Sequence, residues 1–189
     1  MTDTSRFLTA LRRVIRPLFT NGSKQRSDVA APRASSTMTA TVRPGDHEVW
    51  PGKTGDDATI EIEPGRLRRV RLAYTPERDG EPDPGEVVWT WVPYEERDGR
   101  GKDRPVVIVA ASNSGDYLAV QLTSKAHDGD PDFVALGDGA WDSEGRPSWA
   151  RIDRVFRVRA GGMRREASSL DSRRYALVAD ALVNRYGWR

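Results

Sequence analysis

Cysteine is absent from this 189-residue sequence, and histidine occurs only twice. The absence of cysteine excludes disulfides, zinc sites built on thiolates and a cysteine nucleophile. The two histidines, His47 and His127, are far apart and have no carboxylate cluster beside them, so they are not a metal-ligand set. The sequence also has no P-loop and no G-x-G-x-x-G motif after a strand. We therefore expect neither a metal ion nor a cofactor.

The sequence also has no long apolar run. Hydrophobic residues make up 37% of it, and no stretch approaches the roughly 18 apolar residues that span a bilayer. The N-terminus lacks the apolar core of about 7–15 residues that is typical of secretion signals. We expect a cytoplasmic protein that does not act at a membrane and that has a solvated portion outside its core.

Charge is distributed unevenly along the chain. Residues 1–43 carry a net charge of +6, residues 44–84 a net charge of −4, and residues 85–189 none. Such blocks indicate separate roles. The pattern predicts a basic amphipathic helix within 1–19, a flexible linker over 20–44, an acidic extension over 45–84 whose structure stays undetermined, and one compact domain over 85–189.

The first 84 residues leave several interpretations open. Apolar residues recur at helical spacing over 5–19, with arginines between them. This helix could dock on a membrane surface or a partner, or it could pack on the protein or fray. In the extension, residues 58–63 alternate like a half-buried strand, and residues 68–74 fit a strand or a helical turn. The run 75–85, rich in Pro and Gly, marks the boundary of the main domain.

Five short apolar runs in the main domain predict β-strands. The predicted strands span residues 86–92, 105–111, 117–123, 133–136 and 149–158. The second of these is almost continuously apolar, which predicts burial on both faces. A helix is predicted from about 170 to 186, capped by Ser169 or Asp171 and ended by Gly187. The fold class is therefore mainly β with α (α+β), as a small barrel or strongly curved sheet.

Polar residues adjoin the predicted strands in three places. A charged loop ends in Lys102-Asp103-Arg104 before the buried strand, and the run 121–125 (QLTSK) ends a later strand. Arg151 and Asp153 lie in the last predicted strand, where a period of two places both side chains on one face. Polar groups at loops and strand ends of a rigid sheet are typical of functional sites.

Four short motifs follow one another in the main domain. They are Gly85-Glu86-Val87-Val88-Trp89, Lys102-Asp103-Arg104-Pro105-Val106-Val107-Ile108-Val109, Leu122-Thr123-Ser124 and Arg151-Ile152-Asp153-Arg154. Their order and spacing resemble the PemK/MazF-type toxins of bacterial toxin–antitoxin systems. The resemblance covers residues 85–189 and nothing before them. It departs from the family in the rearranged loop 95–101, which has no His, and at Arg154, where the family has Gln.

The resemblance implies an SH3-like barrel with a C-terminal helix, a homodimer and a possible antitoxin protein as partner. It also implies a metal-independent endoribonuclease toxin that cleaves single-stranded RNA such as mRNA. The Arg before Pro and the Thr of the third motif are the family residues most closely tied to cleavage, and they correspond to Arg104 and Thr123. In a subset of the family the R-x-D pair has the acid and base roles, which would fall on Arg151 and Asp153.

Cleavage by the RNA's own 2′-hydroxyl fits these residue types. Attack on the adjacent phosphorus gives a 2′,3′-cyclic phosphate and needs a proton acceptor, a group that helps the 5′ oxygen leave, and cations near the phosphate. Arg104 suits a phosphate clamp, Asp153 a base and Arg151 a polarising group. DNA lacks the 2′-hydroxyl and is not expected as a substrate. The residues expected to contact RNA are Ser124, Lys125, Lys102, Arg100, Trp141 and Trp149.

Each assignment has an alternative that the sequence leaves open. Arg104 could pair with Asp103 or with the terminal helix, and Arg151 with Asp153 could form only a surface ion pair. The domain could be a non-catalytic RNA- or protein-binding SH3-like module. The acidic extension could cover the basic site as an internal brake, or it could add strands to the sheet.

Overall fold

The computed structural model describes residues 50–67, 69–77, 79–112 and 114–189, except for the side chain of residue 167. The predicted basic helix and the linker both lie outside these residues. The strands are β1 (Ile60–Ile62), β2 (Glu86–Pro93), β3 (Gly101–Ala111), β4 (Asp116–Thr123), β5 (Phe133–Gly137), β6 (Ser148–Arg151), β7 (Val155–Arg159) and β8 (Arg164–Ser169). One α-helix, α1 (Ser172–Tyr186), follows them, and single 3₁₀ turns occur at Pro64–Arg66 and Ala160–Gly162.

The strands form one antiparallel sheet that curves around β4. Paired strands follow the order β1-β7-β4-β3-β2-β8, while β6 pairs with both β4 and β5. The first half of β4 pairs with β7, whereas Leu122 and Thr123 pair with β6. A strand that changes partners in this way makes a corner in a sheet. In the described residues β1 and β8 do not pair with each other, so the curved sheet stays open. The expected class, mainly β with a C-terminal helix, is confirmed.

The sheet differs from the prediction in three places. β3 begins four residues earlier than expected, at Gly101, so Arg104 lies in a strand and not in a loop. The strand predicted over 149–158 is two strands, because the chain bends where the Ile152 N–H donates to the Asp132 carbonyl at 2.9 Å. β8 was not predicted, since its polar sequence RREASS has no apolar alternation.

Helix α1 packs one face against the sheet. The Asp171 side chain accepts a hydrogen bond from the Arg174 N–H at 2.8 Å, and Gly187 ends the helix with a left-handed φ of 70°. Its buried residues are Tyr175, Val178 and Leu182. The Tyr175 hydroxyl donates to the Val109 carbonyl of β3 at 2.7 Å, so the helix is also hydrogen-bonded to the buried strand. The predicted helix, its cap and its end are therefore confirmed.

The residues before β2 pack along the edge of the sheet and against the C-terminus. The strand predicted over 58–63 is confirmed as β1, which pairs with β7. The Leu72 N–H donates to the Arg189 carbonyl at 2.7 Å, and the Arg189 N–H donates to the Val70 carbonyl at 3.1 Å. Residues 69–74 form neither a strand nor a helix. Leu72 and Val70 also pack against the main hydrophobic core, so this segment belongs to the same packed body as the sheet.

Candidate active site

Arg104 occupies a half-buried position in β3 without a charged partner. It pairs in register with Thr90 of β2. The ion pair with Asp103 that the sequence left open is not formed, because Asp103 accepts a hydrogen bond from Arg164 at 3.0 Å instead. In the part of the chain that the structure describes, the Arg104 guanidinium has no hydrogen-bond or ion-pair partner. An arginine that is held in a strand and left unpaired is suited to bind an anion.

Two depressions meet at Arg104. The first depression, of about 210 Å³, is lined by Trp89, Lys102, Asp103, Arg104, Pro105, Leu122, Thr123, Ser124, Trp141, Asp142, Ser143, Arg146 and Ser148. The second depression, of about 470 Å³, is lined by Val92, Pro93, Tyr94, Glu95, Glu96, Arg104, Gln121, Arg151 and Arg154. Both are shallow and polar, and Arg104 lines both, so an anion bound there would have room on either side.

Thr123 reaches the first depression from the neighbouring strand. β3 and β4 pair Val106 with Gln121, and Arg104 and Thr123 each lie two residues beyond this pair. Because side chains in a strand alternate between faces, Arg104 and Thr123 share the face that carries Val106 and Gln121. The Thr123 hydroxyl accepts a hydrogen bond from the Lys125 N–H at 3.2 Å, which shapes the turn after β4. The structure therefore brings the two residues that the sequence singled out to one depression.

Two carboxylates hold Arg151 at the second depression. Its Nε and Nη2 donate to Asp153 at 2.7 and 2.9 Å, and its Nη1 donates to Glu95 at 2.5 Å. These bonds, those with Asp153 above all, raise the pKa of the Arg151 guanidinium above its ordinary value. Arg151 and Asp153 are thus close together, as the sequence predicted. The bend after β6, and not the alternation of a strand, is what joins them.

Glu95 and Asp153 differ in their access to the depression. The side chain of Glu95 is 62% exposed, and it lines the second depression. The side chain of Asp153 is only 19% exposed, lies outside the lining, and has both oxygens engaged by Arg151. Of the two carboxylates on Arg151, Glu95 is therefore the one that an incoming ligand meets.

The tryptophans are placed differently from the prediction. Trp141 and Trp149, expected to stack on RNA bases, are 6% and 9% exposed and belong to the interior. The Trp141 Nε1–H donates to the Ser148 hydroxyl at 3.1 Å, so even its polar atom is engaged within the protein. Little ring face is left for a base on either residue, because both rings are needed to fill the core. Trp89, the last residue of the first motif, is half-buried and lines the first depression.

The remaining predicted contact residues are divided between the site and its surroundings. Lys102 and Ser124 line the first depression. Lys125, the residue after Ser124, is exposed and does not line it. Arg100 lines neither depression and instead donates to Asp98 at 2.7 Å. That hydrogen bond raises the pKa of the Arg100 guanidinium above its ordinary value. Two cations, Arg104 and Lys102, are therefore the ones that line the first depression without a carboxylate partner in the described residues.

Three residues of the second depression were missed by the sequence argument: Glu95, Gln121 and Arg154. Arg154 is 7% exposed, and its Nη2 donates to Glu61 of β1 at 2.6 Å and to the Pro93 carbonyl at 2.9 Å. Gln121 stood in the polar run 121–125, Arg154 in the fourth motif and Glu95 in the rearranged loop. Only the curvature of the sheet places the three together, so motif spacing alone carried no signal for this half of the site.

The described residues contain no group of three or more His, Asp or Glu side chains arranged around a possible metal ion. In the same part of the chain, no helix has the length and apolar character needed to cross a membrane.

The chain is similar to one protein family and to several solved structures. A family model described as PemK-like, MazF-like toxin of type II toxin–antitoxin system matches residues 83–184. MazF from Deinococcus radiodurans is 22% identical, with 57% of this chain and 97% of that chain covered and a TM-score of 0.43. A MazE–MazF structure from the same organism is 20% identical, with 57% and 98% covered and a TM-score of 0.43. The Mycobacterium tuberculosis toxin MazF-mt6 is 16% identical, with 54% and 98% covered and a TM-score of 0.40. A search of curated proteins finds no match.

Proposed function

Because the chain belongs to the PemK-like, MazF-like toxin family of type II toxin–antitoxin systems, we propose that it is an endoribonuclease that cleaves single-stranded RNA without a metal ion. One observation carries this proposal. Arg104 is an unpaired guanidinium among the described residues, fixed in a strand where two polar depressions meet. A phosphodiester with a nucleotide on each side fits that arrangement, because the phosphate needs a cation and its neighbours need space.

The proposed reaction uses the RNA as its own nucleophile. The 2′-hydroxyl loses its proton, its oxygen attacks the adjacent phosphorus, and the bond from phosphorus to the 5′ oxygen breaks. The departing 5′ oxygen takes up a proton from solvent, so the products are a 2′,3′-cyclic phosphate and a 5′-hydroxyl. Arg104 holds the phosphate oxygens and offsets the charge that develops on them in the transition state. The Thr123 and Ser124 hydroxyls and the Lys102 ammonium bind the phosphate from the first depression.

The proton acceptor is assigned from access to the second depression. The sequence favoured Asp153, but both of its oxygens already accept hydrogen bonds from Arg151. Glu95 shares Arg151, is exposed and lines the depression. We therefore assign the proton-accepting role to Glu95, and to Asp153 the role of fixing the Arg151 guanidinium. Arg151 then helps the leaving 5′ oxygen as a hydrogen-bond donor.

The decisive experiment is a cleavage assay on mixed-sequence RNA in EDTA with the full chain. Arg104→Ala should lower the cleavage rate by about 100- to 1,000-fold, the usual cost of losing one charge-stabilising donor. Arg104→Lys should recover part of the rate, because it restores the charge without the planar fork. Arg173→Ala, an exposed arginine on α1, is the matched control and should cleave like the unmodified protein.

Three outcomes would contradict the proposal in different ways. Equal rates for Arg104→Ala and the unmodified protein would remove Arg104 from the site. Cleavage that appears only when a metal ion is supplied would overturn metal independence. RNA binding without cleavage under any condition would make the domain a non-catalytic RNA-binding module, the other function that this fold supports.

The assembly and location of the protein complete the proposal. We propose a homodimer in the cytoplasm, with single-stranded mRNA as substrate and an antitoxin protein as inhibitory partner. The family name supplies the antitoxin, and the resemblance of residues 85–189 to that family supplies the dimer. Sedimentation of the purified full chain would measure the dimer directly, and a single species at the mass of one chain would exclude it.

A further inference from the structure

Four arginines are concentrated in residues 66–71 of the acidic extension. The stretch from 64 to 76 contains these four arginines and no aspartate or glutamate, although residues 44–84 as a whole carry a net charge of −4. Three of them, Arg66, Arg69 and Arg71, lie among the described residues and are exposed. Within that part of the chain, none of the three side chains donates a hydrogen bond or forms an ion pair. Their positive charge is therefore not offset locally.

The backbone that carries these arginines is held against the body of the protein. Leu67, Val70 and Leu72, which lie between and after the arginines, pack against the main hydrophobic core. Arg69 has a left-handed φ of 64°, which is uncommon for a residue other than glycine. A guanidinium on a fixed backbone loses less conformational freedom when it binds a ligand. The segment therefore presents its charges in a preorganised arrangement.

Arg189 lies beside Arg71. The Leu72 N–H donates to the Arg189 carbonyl and the Arg189 N–H donates to the Val70 carbonyl, so the two hydrogen bonds flank Arg71. This is the pattern of a parallel pair of residues, in which the two paired side chains point to the same side. The Arg189 side chain is exposed. We call this group the arginine patch; it consists of Arg66, Arg69, Arg71 and Arg189.

The charge of the arginine patch indicates the kind of ligand it fits. Like charges that are brought together without a counterion lower the stability of a folded protein, and a bound polyanion removes that cost. The planar guanidinium matches the oxygens of a phosphate, and a nucleic acid carries one phosphate per nucleotide. None of the four arginines lines either depression at Arg104. The patch is therefore a surface separate from the candidate active site.

The C-terminal residues connect the patch to the bend that carries Asp153. The Tyr186 hydroxyl donates to the carbonyls of Ile152 and Asp153 at 2.9 and 3.2 Å. Tyr186 and Arg189 are three residues apart, a distance of at most about 11 Å along the chain. Asp153 in turn holds Arg151 at the second depression. The patch thus adjoins the segment that supports this depression.

Strand β1 gives a second connection to the same depression. Glu61 of β1 accepts a hydrogen bond from Arg154, which lines the second depression. Glu61 and Arg66 are five residues apart, so the chain between them spans at most about 18 Å. A nucleic-acid strand with one phosphate every 3.4 Å or so covers that distance in about five nucleotides. A short extension of a bound RNA is therefore enough to reach the patch.

We propose that the arginine patch is a second RNA-binding surface, which holds the phosphate backbone of the substrate outside the cleavage site and does not read its bases. This inference rests on the proposed function, since it takes RNA as the ligand. A long RNA engages Arg104 and the patch at once, and the second contact is intramolecular. The patch therefore raises the affinity for long RNAs and leaves the cleavage step unchanged. Because it binds phosphates, its contribution is independent of sequence and is weakened by salt.

The test measures binding of the full chain to mixed-sequence RNAs that are 2′-O-methylated and so cannot cleave themselves. One RNA has about four nucleotides and the other about 16, the two ends of the range covered by single-strand binding sites. The triple variant Arg66→Gln, Arg69→Gln, Arg71→Gln removes three phosphate contacts. Between about 50 and 200 mM salt, the loss of affinity for the long RNA should be about 20-fold greater in the unmodified protein than in the variant. Both proteins should bind the short RNA equally.

A pair of single substitutions gives the matched control. Each phosphate contact on a single strand contributes about 0.7 to the slope of log affinity against log salt, so Arg71→Gln should lower this slope by about 0.7. Arg173→Gln removes an exposed arginine at the end of α1 far from Arg189, and it should leave the slope unchanged. Equal binding of the short RNA by the triple variant shows that the site at Arg104 is intact, which separates loss of the patch from misfolding.

The possible outcomes distinguish this inference from the proposed function. Equal salt slopes and equal long-RNA affinities in the triple variant and the unmodified protein would overturn the inference, and cleavage of unmethylated RNA would leave the proposed function standing. Loss of binding to polyglutamate, with RNA binding unchanged, would also overturn it and assign the patch to an acidic protein segment. If the triple variant loses long-RNA affinity but no RNA is cleaved, the inference stands and the enzymatic proposal fails. If the full chain neither binds nor cleaves RNA, both are overturned.

Discussion

Residues 83–184, which match the toxin family, and residues 50–82, which precede the match, contribute to the candidate site in different ways. The matched region contains every residue that the sequence singled out for chemistry. The preceding segment contains none of them, yet it makes some of the shortest contacts in the molecule. The Thr59 and Thr90 hydroxyls are 2.6 Å apart, and Thr90 is the register partner of Arg104. Support for the site therefore extends beyond the boundary of the family.

Glu61 shows what kind of support this is. Its carboxylate accepts a hydrogen bond from Arg154, whose second bond is to the Pro93 carbonyl at the start of the loop that carries Glu95. The side chains of Glu61 and Arg154 are 17% and 7% exposed, and Glu61 lines neither depression. The sequence left open whether the acidic extension covers the basic site as an internal brake or adds strands to the sheet. The observed position, behind the second depression and not above Arg104, favours a supporting role.

The most severe way to break the link between the two regions is Arg154→Met. It leaves the Glu61 carboxylate buried without its partner, which should lower the free energy of unfolding by about 3–5 kcal/mol. Arg97→Met is the matched control, because Arg97 also approaches Glu61, at 3.6 Å, but its side chain is 71% exposed. Its cost should be below about 1 kcal/mol. Urea unfolding of both variants measures the difference. Equal losses of unfolding free energy would show that burial of the Glu61–Arg154 pair does not make it more stabilising than an exposed pair.

Two glycines of the preceding segment offer a smaller and closely matched comparison. Gly52 and Gly55 both have φ near 78°, so a change to Ala imposes the same backbone strain on each, about 1–2 kcal/mol. A Cβ at Gly52 would also collide with the Thr90 hydroxyl and lie 2.6 Å from the Gly162 carbonyl, whereas one at Gly55 meets open space. Gly52→Ala should therefore lower the free energy of unfolding by about 1–3 kcal/mol more than Gly55→Ala does. Thermal unfolding of the two variants would detect this, and identical midpoints would exclude close packing of the segment at Thr90.

The smallest expected effect is the pH dependence of the Glu61–Arg154 pair. Burial acts to raise the pKa of Glu61, but the hydrogen bond and charge of Arg154, with the charges of Arg97 and Arg151, bring it below its ordinary value of 4.5. The ionised carboxylate therefore contributes stability that is complete above that value and is lost as the pH falls through the lowered pKa.

Comparison of the unmodified protein with Glu61→Gln across the acid range measures this contribution. The difference in unfolding free energy between them should shrink as the solution is acidified. The shrinkage should be smaller in an Arg154→Met background, where the largest of the influences that lower the pKa of Glu61 is gone. A difference that stays constant from neutral to acid pH would contradict the ionic link.

Local sequence pattern was enough to predict the strands and the helix whose buried residues follow a simple period. The apolar run after Arg104 predicted the buried part of β3, and Asp171 and Gly187 predicted both ends of α1, because caps act within a few residues. The same reasoning misplaced Trp141 and Trp149, since an aromatic ring beside a loop can face solvent or core, and only long-range packing decides. It also put Arg104 in a loop, because pairing with β2 extends β3 through charged residues that have no apolar alternation.

The sequence by itself determined the family and the fold class and singled out Arg104 and Thr123, because short motifs and the apolar period of the strands are local patterns. Only the tertiary structure decided which groups face the reaction site. The unpaired state of Arg104, the exposure of Glu95 and the support from Glu61 all depend on residues from distant segments. These contacts exist because β4 changes partners and curves the sheet, and no local pattern records that curvature.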